Sequence, residues 1–377
     1  MKFTIVGGLL SVAAAVGTAS ASDVACCSFF PPDNIWNVRV DSLPVDPQSD
    51  AYIQTIGANT GLHPDFGTFY RGQPIGIPYV VVPWNQPLVD VTFDYDDESD
   101  PGPYPIPTNP PIEGGPDSDG DRHILIVQTG ADGVPCTLWE LFYAFPKGDG
   151  SWTAGSGAKW DLSSHALRPD TWTSADAAGL PILPGLVRFD EAMSGEINHA
   201  IRFTCNLTRN EHVWPARHNA SDSRDPAHPP MGQRFRLKGS VNIDGFAPPV
   251  RTILQAMKTY GIILADNGSD WYITGEHDVR WDDDMLVGQL AQIEGCQFEA
   301  VDSSSLMIDA DSGMAADSSP AADINRDGMV SGADLSFVLG TWGAACNGAE
   351  GLDGDLDNDG DVDGADLSTL LGAWTVQ

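Results

Sequence analysis

Glu140 is the first candidate for chemistry, because it is the one charged side chain in the apolar run from 137 to 145. A carboxyl group buried in such a strand must be paired or keep its proton, and a raised pKa is what a general acid needs. The structural alternative is a salt bridge to an arginine such as Arg202. On the opposite face of the strand, Trp139 and Tyr143 are suited to stacking on sugar rings.

A second polar group lies between residues 196 and 202. Alternation along a strand places Glu196 and Arg202 on one face and His199 on the other. His199 is then either a core residue with satisfied ring nitrogens or an acid–base catalyst that titrates near neutral pH. A glycosidase that uses Glu140 needs a second carboxylate. The sequence offers three candidates for it: Glu196, Glu191 and Asp121.

Two further loops combine charges in a way that suits ligands. Asp117-Ser-Asp119-Gly-Asp121 precedes a predicted strand and indicates a solvated acidic turn or, alternatively, a cation site. Arg217 and His218 follow Trp214 at the start of an arginine-rich stretch. Because a guanidinium group binds a carboxylate or sulfate with two parallel hydrogen bonds, Arg217 suits an acidic sugar.

The C-terminal part of the chain contains one loop pattern twice, 32 residues apart. Oxygen side chains stand at positions 1, 3, 5, 9 and 12 of each loop, glycine stands at position 6, and position 7 offers its carbonyl. This spacing matches what a hard cation such as Ca²⁺ requires, and an acidic flexible tail would not repeat it in register. The predicted ligands are Asp323, Asn325, Asp327, Met329, Ser331 and Asp334 in the first loop, and Asp355, Asp357, Asp359, Asp361, Asp363 and Asp366 in the second.

Each loop is followed by an apolar stripe at helical spacing, and the two short helices are expected to pack on each other. The stripes are Leu335, Leu339 and Trp342, and Leu367, Leu371 and Trp374. Residues 322–374 resemble a type I dockerin, a duplicated EF-hand-type module, which implies two bound Ca²⁺ ions and a cohesin-like or cell-surface partner. Positions 10 and 11, a hydroxyl pair in many dockerins, are here Gly332 with Ala333 and Gly364 with Ala365.

The main domain is predicted to be mainly β, an antiparallel sandwich or jelly roll with one helix, and α+β is the alternative. Short apolar runs between glycines and prolines predict strands at 79–82, 89–93, 123–128, 137–145, 199–205, 235–237 and 271–274. An amphipathic pattern predicts the helix at 249–260. The stretches 62–67, 214–218 and 264–268 are similar to uncharacterised secreted bacterial proteins, a likeness that implies no activity.

Residues 1–21 have the positive start, apolar run and small-residue cleavage site of an export signal, so the protein is expected to be secreted. The main domain is predicted to span 22–301, a linker 302–320 and the calcium repeats 321–377. The formal charge of −34 argues against nucleic acid and anionic membranes as partners. No later run is long enough to span a membrane, and the six cysteines allow disulfides.

These features favour a secreted polysaccharide-active enzyme, a glycoside hydrolase or a polysaccharide lyase, which the calcium repeats attach to a surface. The carbohydrate role rests on the enzymes that dockerin-like modules usually accompany. A lyase would use histidine, tyrosine and arginine around a uronic carboxylate, and the segment 199–236 supplies histidines and arginines. The alternative is a carbohydrate-binding or cell-surface structural protein without catalysis. Serine-hydrolase, zinc-protease and phosphate-loop motifs are absent from the sequence.

Overall fold

The computed structural model describes residues 23–131, 134–316, 322–324, 329–343, 354–356 and 361–375. The predicted export signal, residues 1–21, lies outside these ranges. Strands dominate the main domain and few helices accompany them, so the prediction of a mainly β domain is confirmed. The sheets contain both parallel and antiparallel neighbours.

The described chain forms fifteen strands and six α-helices. The strands are β1 His63–Asp65, β2 Phe69–Tyr70, β3 Gln73–Pro74, β4 Tyr79–Val82, β5 Val91–Phe93, β6 Ile124–Gln128, β7 Thr137–Phe142, β8 Phe145–Pro146, β9 Trp152–Ala154, β10 Ser156–Asp161, β11 Ile201–Cys205, β12 Arg234–Leu237, β13 Ile262–Asn267, β14 Tyr272–Thr274 and β15 Phe298–Ala300. The helices are α1 Ser49–Ile56, α2 Phe189–Ser194, α3 Pro248–Thr259, α4 Asp283–Leu290, α5 Gly332–Gly340 and α6 Gly364–Gly372.

A six-stranded sheet with the order β1-β14-β11-β13-β12-β15 forms the centre of the main domain. Helices α1, α3 and α4 contact its strands. Helix α3, close to the predicted 249–260, begins with prolines in its first turn, where no intrahelical donor is lost. It is followed by Gly261, whose φ of 72° and close approach to the Phe235 carbonyl leave no space for a Cβ. The chain therefore turns at Gly261 directly into β13.

A four-stranded sheet, β10-β7-β6-β4, has a hydrophobic cluster on each face. On one face, Leu125 and Leu138 belong to the large hydrophobic core that this sheet shares with the central sheet. On the other face, Ile126 and Trp139 belong to a smaller core that it shares with the three-stranded sheet β5-β9-β8. The alternation ends at Tyr143, whose φ of 54° turns the chain. Strand β7 is therefore shorter than the predicted 137–145.

The N-terminal segment and residues 302–316 are fastened to the main domain. Cys27 forms a disulfide with Cys136, while Cys26, Cys205 and Cys296 are unpaired and Cys346 lies outside the described residues. Residues 302–316, the first part of the predicted linker, lie against the domain through backbone and side-chain hydrogen bonds. We call them the strap.

In the repeat region, α5 and α6 contact each other, as the sequence predicts. Their common core consists of Ala322, Val330, Val338, Val362 and Leu370, with Leu335 and Leu367 packed against it. The outer residues of both predicted stripes are exposed instead: Leu339, Trp342, Leu371 and Trp374. Each helix has nine residues and packs against one neighbouring helix, so that only one side of its apolar stripe is covered and the other side faces solvent. None of the described helices is long and apolar enough to cross a membrane.

Candidate active site

The polar side chains of the central sheet are aligned across three strands. Strand β1 runs parallel to β14 with Asp65 opposite Thr274, and the antiparallel register of β14 with β11 places Thr274 opposite Arg202. Directly opposed residues point to the same face of a sheet. The alternate residues Ile273 and Phe203 point to the other face and into the hydrophobic core. The sheet is therefore apolar on one face and polar on the other at this end.

Arg202 is the buried cation of the polar face. Its guanidinium group binds both carboxylate oxygens of Asp176, at 2.8 and 3.1 Å, and Oδ2 of Asp266 at 3.2 Å. Burial, with the charge of Asp176 adding to it, raises the pKa of Asp266 to about 7 against the opposing effect of Arg202. The sequence alternative that pairs Arg202 with Glu140 is wrong, because Asp176 and Asp266 occupy the guanidinium.

His123 and Glu113 form a second charged pair, contributed by the start of β6 and the loop before it. Nδ1 of His123 lies 2.6 Å from Oε2 of Glu113, and Nε2 lies 3.0 Å from the carbonyl of Ala175. Burial opposes a charge on His123, but the neighbouring carboxylate outweighs it and raises the pKa of His123 to about 9. Both ring nitrogens then donate hydrogen bonds. In turn, His123 holds the pKa of Glu113 below its usual value in spite of burial.

Asp65, at the end of β1, faces the same group of charges. Loss of hydration raises the pKa of Asp65, and the nearby Glu113 and Asp121 raise it further, whereas His63 and Arg202 lower it. Its carboxyl group has no hydrogen bond or ion pair with any residue that the structure describes. Asp65 and Glu113 are thus neighbouring carboxyl groups whose pKa values are displaced in opposite directions.

Five residues form what we call the sheet-face site: Asp65, Glu113, His123, Arg202 and Asp266. The side chain of Asp65 is exposed to solvent, and the side chains of Glu113 and Asp266 are 26% and 25% exposed. Yet for all three, loss of hydration is the largest single influence on the pKa. Water therefore reaches these three carboxyl groups, while the protein around them removes part of their hydration.

Exposed aromatic side chains flank the site. Phe69 and Tyr70 are 53% and 60% exposed on the hairpin β2–β3, which begins four residues after Asp65. The hairpin touches the loop that carries Glu113, because a Cβ at Gly115 would lie 3.4 Å from Oε1 of Gln73. Two exposed rings beside the sheet-face site are a suitable surface for the apolar faces of sugars.

Tyr143 also lies near the site, as its backbone amide donates to the carbonyl of Asp121 over 2.7 Å. Its ring is 44% exposed and packs on Phe145. Tyr143 therefore keeps the predicted role of a sugar-stacking candidate. Trp139, its predicted companion, is buried against Tyr104 and donates its ring N–H to Gln128, so it is unavailable to a ligand.

The structure places Glu140 in the interior, with no exposed surface. Its carboxyl oxygens accept hydrogen bonds of 2.9 to 3.0 Å from the backbone amides of Ile182 and Leu183. Burial raises the pKa of Glu140 to about 7 against these bonds, so the predicted raised pKa is present. No substrate can reach the group, and it holds the loop around residue 182 in place instead.

His199 belongs to a buried network away from the polar face. Its Nε2 lies 3.1 and 3.2 Å from the two carboxylate oxygens of Glu191, and Nδ1 lies 2.8 Å from the Ala200 carbonyl. Glu191 also accepts from the backbone and guanidinium of Arg188. This is the core arrangement with satisfied ring nitrogens. Glu196 is exposed on the loop after α2.

Arg217 is a structural residue in the fold. Its guanidinium binds the carbonyls of Arg168 and Ala310 and the carboxylate of Asp311, and thereby fastens the strap. The guanidinium is therefore committed to contacts within the protein, and the contact of Arg217 with an acidic sugar stays a prediction. His218, next to it, bonds to the Ala177 carbonyl and is partly exposed.

The guanidinium group of Arg122 lies against the acidic loop 117–121 and binds backbone carbonyls there. The guanidinium of Arg122 donates to the carbonyls of Pro116 and Ser118, at 2.8 Å each, and to that of Ala144. The alternative of a metal site in this loop is disfavoured, because Arg122 takes carbonyls that such a site would use. The carboxylate of Asp121 remains exposed and close enough to affect the pKa of both Asp65 and His123.

The predicted calcium repeats are described in part. Asn325, Asp327, Asp357 and Asp359 lie outside the described residues, and among those described no three metal-binding side chains form a group. The closing aspartates Asp334 and Asp366 are fully buried and accept from the amides of Ser331 and Asp363. Asp366 also accepts from Leu356, which brings the start and end of the second loop together, as a cation site requires.

Comparisons of the chain with known protein families, curated proteins and solved structures found no match. The assignment of the site therefore depends on its own geometry. The sequence patterns missed four of its five residues: Asp65, Glu113, His123 and Asp266. A signal for two of them was present, since Asp65 and Asp266 lie in the stretches 62–67 and 264–268, where polar residues end short strands.

Proposed function

We propose that the protein is a secreted glycoside hydrolase whose catalytic groups are Asp65 and Glu113. The observation that supports this most is the pair of solvent-reachable, neighbouring carboxyl groups with oppositely displaced pKa values. Such a pair supplies one group that keeps its proton and one that is ionised at the same pH, which is the requirement of glycosidic bond cleavage. These residues replace the predicted pair of Glu140 with Glu196, Glu191 or Asp121.

In the proposed reaction Asp65 donates its proton to the glycosidic oxygen as the bond between that oxygen and the anomeric carbon breaks. Glu113 removes a proton from a water molecule, whose oxygen forms the new bond to the anomeric carbon. One water is consumed, and each product carries a new hydroxyl group. Oε2 of Glu113 is held by His123, so Oε1 is the oxygen that faces the water.

Hydrolysis is favoured over elimination because three arginines of the central part of the domain, Arg202, Arg217 and Arg168, are already paired with carboxylates. A lyase needs a cation to neutralise the uronic carboxylate of its substrate. Arg202 binds Asp176 and Asp266, and Arg217 binds Asp311. Arg168, in the loop that leads to Asp176, binds Asp100.

The C-terminal repeats would serve as a calcium-dependent attachment module of the dockerin type. The support is the loop spacing, the burial of Asp323, Asp334, Asp355 and Asp366, and the closure of the second loop by Asp366. In this proposal, these carboxylates would be among the ligands of the bound Ca²⁺. An exported enzyme held at a surface in this way meets insoluble glycans outside the cell.

A non-catalytic carbohydrate-binding protein is the second candidate, and the exposed Phe69 and Tyr70 beside the sheet-face site favour it. Binding requires aromatic platforms but does not require two carboxyl groups with displaced pKa values. The two candidate functions therefore predict different results when a carboxylate of the site is removed. Removal of Glu113 abolishes hydrolysis, while it leaves aromatic binding largely intact.

The test is a screen of the full-length protein on β-1,4-glucan, xylan, chitin, chitosan, pectate and alginate. Reducing ends report hydrolysis, and ultraviolet absorbance of unsaturated products reports elimination. The proposal expects reducing ends without unsaturated products, and a loss of activity of about 10²- to 10⁴-fold in Asp65→Asn. Unsaturated products would establish a lyase, and binding without any cleavage would establish the second candidate.

A further inference from the structure

The three-stranded sheet β5-β9-β8 turns one face to the smaller hydrophobic core and the other to solvent. Val91 and Trp152 lie in that core, so the alternate residues of their strands point outward. The pairing register places Thr92 opposite Thr153, and Thr153 opposite Phe145. Directly opposed side chains lie on the same face, about 4.8 Å apart from strand to strand. The outer face of the sheet therefore carries a row of two hydroxyl groups and one aromatic ring.

The aromatic end of this row consists of two rings in contact. The ring centroids of Phe145 and Tyr143 are 4.8 Å apart and the rings meet edge to face. The guanidinium of Arg122 lies 4.2 Å from the centroid of the Phe145 ring, and Arg122 is itself buried and bonded to three backbone carbonyls. Phe145 is thus held in place, and the Tyr143 ring beside it is 44% exposed.

Tyr143 adopts an unfavourable backbone conformation in this position. Its φ of 54° lies in the left-handed region, which a bulky aromatic residue rarely occupies. Its amide donates to the carbonyl of Asp121 over 2.7 Å, which helps to hold the turn. Strain of this kind persists only where the surrounding structure enforces it, and it is concentrated at functional positions. Here it accompanies a ring that lies in solvent instead of in the core.

We infer that Thr92, Thr153, Phe145 and Tyr143, which we call the outer row, bind a neutral glycan chain on the surface of the protein. Aromatic rings suit the apolar face of a pyranose, and threonine hydroxyls both donate to and accept from sugar hydroxyls. The spacing between strands is close to the length of one sugar residue in a β-linked chain. A chain that crosses the strands therefore meets one side chain of the outer row for each sugar residue.

The chemistry of the outer row favours a neutral ligand. None of its four side chains is charged, so a charged sugar gains no ion pair within it. Lys147, next to the row, donates to Oγ1 of Thr92 over 2.9 Å, which leaves the hydroxyl hydrogen of Thr92 for a sugar oxygen. A stable protein partner needs a larger apolar area than two neighbouring rings supply. The inference goes beyond the proposed function, because binding on this face requires no cleavage.

The experiment is affinity electrophoresis of the full-length protein, with Glu113→Gln to slow cleavage, in native gels that contain hydroxyethyl cellulose, arabinoxylan, pectate or no glycan. At least one of the two neutral glycans is expected to retard the protein, and the anionic pectate is not. Tyr143→Asn removes the ring and introduces a residue that tolerates the left-handed backbone. Thr153→Glu places in the row a charge that a bound neutral chain would desolvate.

Each of these two variants is expected to weaken binding about three- to tenfold. The matched control is Trp84→Asn, which removes a 57% exposed ring beyond the end of β4, on a different sheet, and leaves binding unchanged. Circular dichroism checks that the variants fold. If Tyr143→Asn unfolds, Thr153→Glu alone decides.

Mobility that neither neutral glycan changes, or stronger retardation by pectate, overturns the inference. Unchanged retardation in both variants also overturns it, because the glycan then binds elsewhere. Retardation that the two variants weaken, in a protein that cleaves no glycan of the screen, supports the inference and removes the hydrolase. Cleavage in the screen without any effect of the two variants leaves the proposed function standing and removes only the inference.

Discussion

At the residue scale, partners decide whether a polar side chain is structural or reactive. Glu140 and Glu113 are both carboxyl groups that lose hydration in the folded protein. Glu140 has no exposed surface and accepts from backbone amides, whereas Glu113 contacts His123 and solvent. Burial raises the pKa of Glu140, whereas for Glu113 the same effect of burial is outweighed by the combined influence of His123, so that the pKa of Glu113 is lowered. The pKa of Glu140 is raised, as a general acid requires, but no substrate can reach this buried side chain, so it cannot act as the general acid.

Glu140 should give the protein a specific dependence of stability on pH. Its pKa is raised from 4.5 to about 7 on folding, so the folded state retains the proton that the unfolded state loses. Stability linked to this group is present below pH 4.5 and is lost as the pH rises to 7. We expect the free energy of unfolding of the wild type to fall over this range relative to Glu140→Gln. Urea unfolding at pH 4.5, 5.5 and 7 checks this, and parallel curves for the two proteins would contradict it.

At the scale of elements, the sequence predicted those strands and helices whose own residues carry a pattern. Strand β4 and helix α3 match their predicted positions closely, because β-branched residues and an amphipathic stripe are local signals. Strand β13 was missed because its continuous apolar run follows α3 directly and has no alternation. Strand β10 contains glycine, alanine and lysine, which have low β-propensity, so its sequence does not predict a strand. It forms one because it pairs with β7 along its whole length.

The site was harder to predict than the elements for the same reason. Asp65, Arg202 and Asp266 come from distant segments, and the register of β1, β14, β11 and β13 brings them together. Glu113 joins them from a loop, through its contact with His123. Neither composition nor spacing contains that register. Glu113 in particular follows two prolines in a loop, where no periodic pattern distinguishes it from a solvated residue.

The strap is an element held by side chains, and Arg217 is its main fastening. Arg217→Met removes hydrogen bonds to Ala310 and Asp311 and leaves their acceptors without that donor. We expect a loss of about 2–3 kcal/mol in the free energy of unfolding, together with faster amide exchange in residues 310–313. Arg251→Met on the exposed face of α3 is the control. Unchanged exchange in the strap would show that it is held by other contacts.

At the scale of the whole molecule, a negatively charged chain is held together by cross-links between distant segments and by a second module at its C-terminus. The disulfide between Cys27 and Cys136 closes a loop of 109 residues and fixes the N-terminal segment to β7. Cys26 packs against the core of the calcium repeats, so the N-terminal segment contacts both parts of the protein.

Removal of this disulfide should destabilise the protein strongly. For a loop of about 100 residues, loss of the cross-link costs roughly 4–5 kcal/mol of unfolding free energy, chiefly through the larger freedom of the unfolded chain. The double variant Cys27→Ser, Cys136→Ser is compared with Cys296→Ser, an exposed unpaired cysteine, by urea unfolding. Equal stability of the two variants would mean that the disulfide contributes nothing in solution.

The predicted binding of calcium by the C-terminal repeats can be tested independently of the substrate and of the catalytic residues. Isothermal titration of the calcium-free protein should find two Ca²⁺ ions per chain, and Asp366→Asn should bind one, because the closing carboxylate of the second loop is lost. Ser368→Ala, an exposed position on the same helix, should still bind two. A stoichiometry near zero in the wild type would refute the metal assignment for the whole repeat region.

The most direct test of the account is chemical rescue of Glu113→Ala on the best glycan of the screen. Hydrolysis is expected to fall about 10²- to 10⁴-fold, because no group is left to remove the proton from water. Azide, which needs no such base, should restore cleavage and appear in the product as a glycosyl azide. Asp119→Ala should hydrolyse at the wild-type rate without azide. Full activity of Glu113→Ala, or a lost activity that azide fails to restore, would contradict the role of Glu113 as the catalytic base.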